Sequence, residues 1–121
     1  MLTSTEVKVL TVHIDVANKK VDLDPIKLSK KDGDQVEWFC DQNVTVHFLD
    51  LDPKKPGHNG TPFQDGAVFE VSKDGKVSGP IRSQAVVCEG CNVKAVAHHH
   101  YKYEILCKGK VVLDPEVIIR N

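Results

Sequence analysis

The sequence lacks the features that mark membrane proteins, nucleic-acid-binding proteins and helical proteins. No apolar run is long enough for a transmembrane helix. No apolar set recurs at intervals of three and four residues over eleven positions, so no helix of ordinary length is predicted. The formal net charge is −1 over 121 residues, which gives no electrostatic reason to expect nucleic acid or an anionic membrane as a partner. A globular chain built from strands is left.

Residues 1–6 lack the basic region and the apolar core of a secretory signal peptide. We therefore expect a cytoplasmic protein, or a periplasmic or extracellular one if a leader has been removed. The four cysteines are compatible with either compartment. Because 40% of the residues are apolar and 27% are charged, one ordinary globular domain is predicted over 1–121, with 1–6 as a disordered tail.

Motifs for catalysis are scarce as well. No phosphate-binding glycine motif occurs. No candidate nucleophile is accompanied in sequence by a base and by a third group that would orient that base. The carboxylates are scattered through predicted turns rather than paired. We therefore expect that the protein is not an enzyme.

Alternation of apolar and polar residues is the main positive signal. One strand follows an Asp-Gly turn at 32–33 and places Val36, Trp38 and Cys40 on one face. A polar corner comes next, and a second strand alternates in the same way over 44–48. Alternation with a period of two is typical of strands that are buried on one face, so this pair is expected to lie in the core.

The same pattern predicts further strands along the chain. Among them are segments at 7–16, 26–28, 68–71, 78–87, 101–107, 111–113 and 117–119. A loop rich in proline and glycine interrupts them over 52–66, and Phe63 is expected to pin it to the core. Short strands separated by turns predict an all-β protein, a Greek-key β-sandwich of eight or nine strands.

Several sequence stretches follow one another in a specific order. Asp24-Pro25 precedes a Gly-Asp turn that leads into Val-x-Trp at 33–38, and Thr-Val-x-Phe follows at 45–48. Tyr-x-Tyr stands at 101–103, and Asp-Pro-Glu-Val-Ile-Ile closes the series at 114–119. This order resembles that of the cupredoxin family over most of residues 7–119, and the resemblance implies a cupredoxin-like fold.

The resemblance does not extend to the family's copper ligands. A type 1 copper site needs two imidazoles, a thiolate and usually a weak thioether. The family's first histidine precedes the Thr-Val-x-Phe strand, and its cysteine lies two residues beyond the second tyrosine. Those positions hold Val44 and Ile105 here, and the only methionine is Met1. A shifted register using His47 and Cys107 would still lack a second histidine, so blue-copper electron transfer is not expected.

Two clusters of possible ligands remain. Cys88 and Cys91 have the spacing of a zinc knuckle, a redox pair or a local disulfide, with a plain turn holding free thiols as the alternative. In the histidine triplet farther along, His98 and His100 would share one face of a strand. His47 could add a ligand if the loops converge, and imidazole suits copper, zinc or nickel. An exposed loop or strand edge is the alternative for the histidines.

We therefore expect a non-enzymatic binding or accessory domain that needs no cofactor. It would use the 52–66 loop together with the end of the sandwich near Val44 and the histidine triplet 98–100. Its partner would be a protein or a small ligand, with no nucleic acid and no membrane span. The alternative is an atypical metal-binding or redox protein that uses Cys88, Cys91 and the triplet, with copper or zinc as its cofactor.

Overall fold

A computed structural model describes residues 8–52, 54–55, 58–88 and 100–120. Within these ranges the protein has ten strands and no helix, against eight or nine strands predicted. The strands are β1 (Val9–Asp15), β2 (Lys20–Val21), β3 (Ile26–Ser29), β4 (Gln35–Cys40), β5 (Val44–Phe48), β6 (Val68–Val71), β7 (Lys76–Val77), β8 (Tyr101–Cys107), β9 (Lys110–Leu113) and β10 (Glu116–Arg120). The all-β prediction is confirmed.

The strands form two mixed sheets. The first has the order β2-β1-β4-β7, in which β1 and β4 run parallel. The second has the order β3-β10-β8-β5-β6, with β9 paired to β8 and with β3 and β10 parallel. The buried residues of both sheets belong to one core cluster, which is the arrangement of the β-sandwich that the alternation predicts.

An aromatic cluster around Trp38 fills the middle of the core. The indole is fully buried, and its centroid lies 5.4 to 6.3 Å from the ring centroids of Phe48, Phe63, Phe69 and Tyr103. Such tilted and edge-on contacts add to the free energy gained from burial alone. Phe63 is 1% exposed, so the prediction that it pins the long loop to the core is confirmed.

The predicted strand over 78–87 is wrong. This segment is irregular, with a turn from Arg82 to Ala85 and a single isolated bridge at Ile81. Gly79 has a φ of 79°, which lies outside the strand region, and the proline that follows it has no N–H to donate. The ammonium group of Lys30, rather than a neighbouring strand, binds carbonyl oxygens of the segment at 2.7 and 3.2 Å.

The tail predicted at 1–6 lies outside the described residues. In the part of the chain that is described, no helix has the length and the apolar character needed to cross a membrane.

The hairpin between β8 and β9 turns through Lys108 and Gly109, whose φ values are 53° and 80°. Two successive positive φ values are typical of a tight two-residue turn between antiparallel strands, and this turn directly follows Cys107, the last residue of β8.

Candidate functional site

His47 lies on the outer face of β5. Its neighbours Val46 and Phe48 are buried in the core, whereas the imidazole is partly exposed. β5 pairs with β8 in a register that sets His47 opposite Glu104, and the Nδ1 atom lies 3.9 Å from Glu104 Oε1. This histidine is therefore paired with a carboxylate across the sheet, on the side that faces away from the core.

His100 has a different environment. It immediately precedes β8, is fully buried, and places Nδ1 3.5 Å from Oε1 of Glu116 on β10. Neither ring nitrogen has a hydrogen-bond partner in the described part of the chain, while the side-chain amide of Asn59 donates to the His100 carbonyl oxygen. His47 contacts Glu104 of β8 from the β5 side, whereas His100 contacts β10 on the other side of β8. The two histidines are therefore not brought together.

Cys88 is buried and disulfide-bonded. Its amide donates to the carbonyl oxygen of Ile119 at 2.7 Å, which ties the residue to β10. A metal-ligand role for this sulfur would first require reduction of the disulfide, because the ligand form of cysteine is the thiolate. Cys91 and His98 lie outside the described residues. Among the residues that are described, no three histidine, cysteine or acidic side chains form a metal-binding group, and the metal site stays a prediction.

The expectation that one surface combines Val44 with the histidine triplet is wrong for His100, whereas positions 98 and 99 lie outside the described residues. The register sets Thr45 opposite Leu106 and Phe48 opposite Tyr103. Val44 thus lies at the end of the sandwich where β8 finishes, and His100 lies at the end where β8 begins. The long loop is at the His100 end, since the amide of Gly60 donates to Leu49 and Asn59 contacts His100.

A groove lies on the outer face of the second sheet. It encloses about 800 Å³ and crosses β5, β6 and the end of β8. Its lining consists of Asn43, Val44, Thr45, His47, Val68, Glu70, Val71, Ser72, Leu106, Lys108 and Gly109. Apolar walls with a few polar groups are typical of ligand sites, and this groove has both.

The polar groups of the groove are held by contacts between strands. The Thr45 hydroxyl donates to Glu70 Oε1 at 2.5 Å, from β5 to β6. One strand position farther along, His47 faces Glu104 on the other side. Val68 lies opposite His47 on β6, two residues from Glu70, with 56% of its surface exposed. Two carboxylates and an exposed apolar side chain thus share one open sheet face.

Free thiols lie near the end of the groove that Asn43 and Lys108 line. Of the cysteines that the structure describes, Cys40 and Cys107 are free. Cys40 ends β4 and is 3% exposed, and Cys107 ends β8 and is partly exposed. Burial is the main effect that raises the pKa of the Cys40 thiol, and the backbone of Gln42 lowers it less. Cys107 Sγ lies 3.6 Å from Gln42 Oε1.

Sequence reasoning missed Thr45, Glu70 and Lys108 as groove residues, and it missed Glu104 as the partner of His47. The alternation in β5, β6 and β8 does predict that the residues between the buried ones point outward. It gives no information on which outward residues are neighbours, because that depends on the register between strands that are distant in sequence.

No family model matches this chain, and a search of the curated proteins finds no significant match.

Proposed function

We propose that this protein is a non-enzymatic binding domain whose ligand site is the groove across β5, β6 and β8. The observation that carries the proposal is the combination of exposed Val68 with the carboxylates of Glu70 and Glu104 on one open face. An open face suits an extended chain better than a small molecule, because small ligands are usually enclosed on most sides.

The partner that we propose is an extended segment of another protein. Its apolar side chains would cover Val68 and Leu106, and a basic side chain would lie between the two carboxylates. Glu104 already has a histidine beside it and Glu70 accepts from a hydroxyl, but neither carboxylate has a Lys or Arg partner among the described residues. Lys108 at the far rim favours a neutral or acidic end of the segment.

The experiment is a titration of isotopically labelled protein with short peptides in which a lysine is flanked by valine or leucine. Amide resonances of Thr45, His47 and Glu70 are expected to shift with the lysine peptides and to shift less with peptides that carry glutamate instead. Glu70→Gln and Glu104→Gln are each expected to weaken binding about two- to fivefold, since each removes one exposed charge pair.

Glu37→Gln is the matched control. Glu37 lies on the outer face of β4 between buried Val36 and Trp38, in the other sheet, and its loss should leave binding unchanged. Added salt should weaken the lysine peptides, because charges at the surface are screened over about 8 Å at physiological ionic strength. Shifts confined to the first sheet, or equal binding of lysine and glutamate peptides, would contradict the proposal.

We also infer that the fold is a cupredoxin-like Greek-key sandwich without a type 1 copper centre. Two mixed sheets and the succession of strands support this inference. Val44 and Ile105, at the family's ligand positions, are buried apolar side chains. His47 faces outward, whereas Cys107 packs against the core, so these two would approach a metal from opposite faces.

Cupric ion added to the purified protein is therefore expected to give no intense blue charge-transfer band between thiolate and copper. The measurement is an absorbance titration, run in parallel on Cys107→Ser. A strong band that disappears in this variant would show that copper binds at Cys107 after all and would refute the inference.

An atypical redox or metal-binding role at Cys88, Cys91 and His98 to His100 is the second candidate. The disulfide at Cys88 favours the redox role over the metal-binding role. A disulfide also fits a periplasmic or extracellular location better than a cytoplasmic one. Metal analysis of protein purified without a metal-affinity column tests the metal-binding role. Stoichiometric copper or zinc that protects Cys91 from alkylation until chelator is added would replace the binding-domain proposal.

A further inference from the structure

Cys40 and Cys107 end strands of opposite sheets at the same end of the sandwich. β4 belongs to the first sheet and β8 to the second. Both cysteines pack against the shared core cluster, Cys40 as a member and Cys107 as a partly buried neighbour. Each side chain is thus directed at the space between the sheets rather than at an outer face.

The polar corner 41–43 brings these strand ends close together. Only three residues separate Cys40 from Val44, the first residue of β5. Thr45 in turn pairs with Leu106, the neighbour of Cys107. The side chain of Gln42 reaches across and accepts from the Cys107 thiol at 3.6 Å. The two thiols are therefore joined through a short corner and one hydrogen bond.

The thiols differ in accessibility, which gives them different chemical roles. Cys107 is partly exposed and can meet a reagent from solvent. Cys40 is almost completely buried, and its pKa is raised by burial and, more weakly, by the charges of Asp41 and Cys107. Since the thiolate is the attacking form, Cys107 is suited to react first and Cys40 to react second from inside the fold.

We propose that Cys40 and Cys107 are a modification site that forms a reversible disulfide between the two sheets. The oxidant is a small disulfide such as oxidised glutathione. The Cys107 thiolate attacks one of its sulfurs, forms a mixed disulfide and releases one glutathione thiolate. Cys40 then loses its proton to solvent and attacks the Cys107 sulfur, which releases the second glutathione. Two protein thiols are oxidised, and one glutathione disulfide is reduced to two thiols.

The site lies beside the groove. Lys108 follows Cys107 directly, and Asn43 belongs to the corner, and both line the groove. A bond from Cys40 to Cys107 would fix this rim in position. The inference concerns a different pair of cysteines from the Cys88 motif, and it does not require that the groove bind a peptide.

The experiment is incubation of the full chain with mixtures of reduced and oxidised glutathione, followed by acid quenching, alkylation and peptide mapping without reductant. The expected product is a peptide pair linked through Cys40 and Cys107, with at least a tenfold loss in alkylation of Cys107. Returning the oxidised protein to excess reduced glutathione should restore the alkylation of Cys107, which would establish that the disulfide is reversible.

Two variants separate the steps. Cys40→Ala is expected to stop at the mixed disulfide, with one glutathione bound to Cys107. Cys107→Ser is expected to leave Cys40 at least tenfold less reactive toward oxidised glutathione than Cys107 is in the wild type. The near-ultraviolet circular dichroism of each variant, dominated by Trp38, reports whether the core is intact.

The wild-type mapping stands without the variants, so a variant that fails to fold does not remove the test. Accumulation of glutathione on Cys107 in the wild type, with no linked pair at any redox ratio, would overturn the proposal, because it would show that the two sulfurs cannot meet. Glutathione on Cys40 before Cys107 would overturn the assignment of their roles.

Discussion

The two ends of the β5–β8 pair hold reactive side chains in opposite states. At the cysteine end, defined by Cys40, Gln42 and Cys107, the Cys107 thiol is partly exposed and donates a hydrogen bond to Gln42 in the polar corner. At the histidine end, defined by Asn59, His100 and Glu116, the imidazole is fully buried and both of its nitrogens lack hydrogen bonds among the described residues.

The difference comes from how the chain leaves the strands. At the cysteine end it turns within a few residues, through the corner 41–43 and the tight turn at Lys108 and Gly109, which leaves Cys107 partly exposed. At the histidine end the loop that follows β5 folds back, and Phe63 inserts into the core. A polar group covered in this way costs free energy, whereas an open thiol is available for chemistry. The same pair of strands thus serves reactivity at one end and burial at the other.

The largest effect is expected midway between the two ends. Trp38→Ala should lower the free energy of unfolding by about 3–5 kcal/mol, because it removes a fully buried indole and leaves a cavity among four aromatic rings. Urea unfolding followed by circular dichroism measures it. Val111→Ala on an exposed strand position is the control and should change stability by less than about 0.5 kcal/mol. If Trp38→Ala changed stability as little as the control does, the cysteine end and the histidine end would not be joined by one core.

His100→Leu tests the histidine end directly. Replacing a buried ring whose nitrogens lack hydrogen bonds by an apolar side chain should raise the free energy of unfolding by about 1 kcal/mol. The measurement is thermal and urea unfolding near neutral pH, with Glu116→Gln and the double variant completing a cycle. A loss of about 3–5 kcal/mol would show instead that His100 and Glu116 form an ionised buried pair, and the contrast between the two ends would then have to be abandoned.

Tyr101→Phe removes the hydrogen bond that holds the irregular segment after β7 against β8. The phenolic oxygen accepts from the amide of Val86 at 2.7 Å, so its loss should cost about 1 kcal/mol. The amides of residues 85–88 should also exchange their hydrogens faster. Tyr103→Phe is the matched control, since its hydroxyl has no well-formed hydrogen bond within the described ranges. Equal losses in both variants would show that packing, and not the hydrogen bond, is being measured.

The smallest effect concerns alkaline stability. Burial raises the pKa of Tyr103 well above its ordinary value, and a weak interaction with Trp38 lowers it only in part. A raised pKa means that its contribution is complete below the unfolded value of about 10 and is lost as the pH rises further. Between pH 10 and 11 the wild type should lose up to about 1 kcal/mol more than Tyr103→Phe. Parallel pH profiles would refute this assignment.

The strands themselves could be predicted because burial on one face leaves a period of two in the sequence. Val44, Val46 and Phe48 show it, and β5 was found where it was expected. The segment 78–87 shows the same alternation, with Ile81 and Val87 partly buried, yet it forms no strand. There the positive φ of Gly79 and the hydrogen bonds from Lys30 determine the path, and alternation does not detect either one.

The candidate site could be predicted only in part. His47 was singled out from the sequence, but the placement of Glu104 opposite His47 and of Glu70 opposite Thr45 depends on strand register across long separations. The proximity of Cys40 and Cys107 likewise depends on the corner that joins the sheets. Whether a residue faces the core or solvent follows from the alternation of its own strand. Which functional groups meet depends on how distant strands are ordered and aligned, and alternation does not show this.

β3 is synthesised long before β10, the strand with which it pairs in parallel. β3 lies at the edge of its sheet, and its strand neighbour is β10, which the ribosome delivers roughly ninety residues later. At ordinary rates of translation this interval lasts roughly 5–20 s. During that time β3, whose Ile26 and Leu28 end fully buried, is without its strand partner on the nascent chain. Lys27 between them and the lysines that follow discourage pairing with another chain, so the sequence around β3 protects the strand until its partner is made.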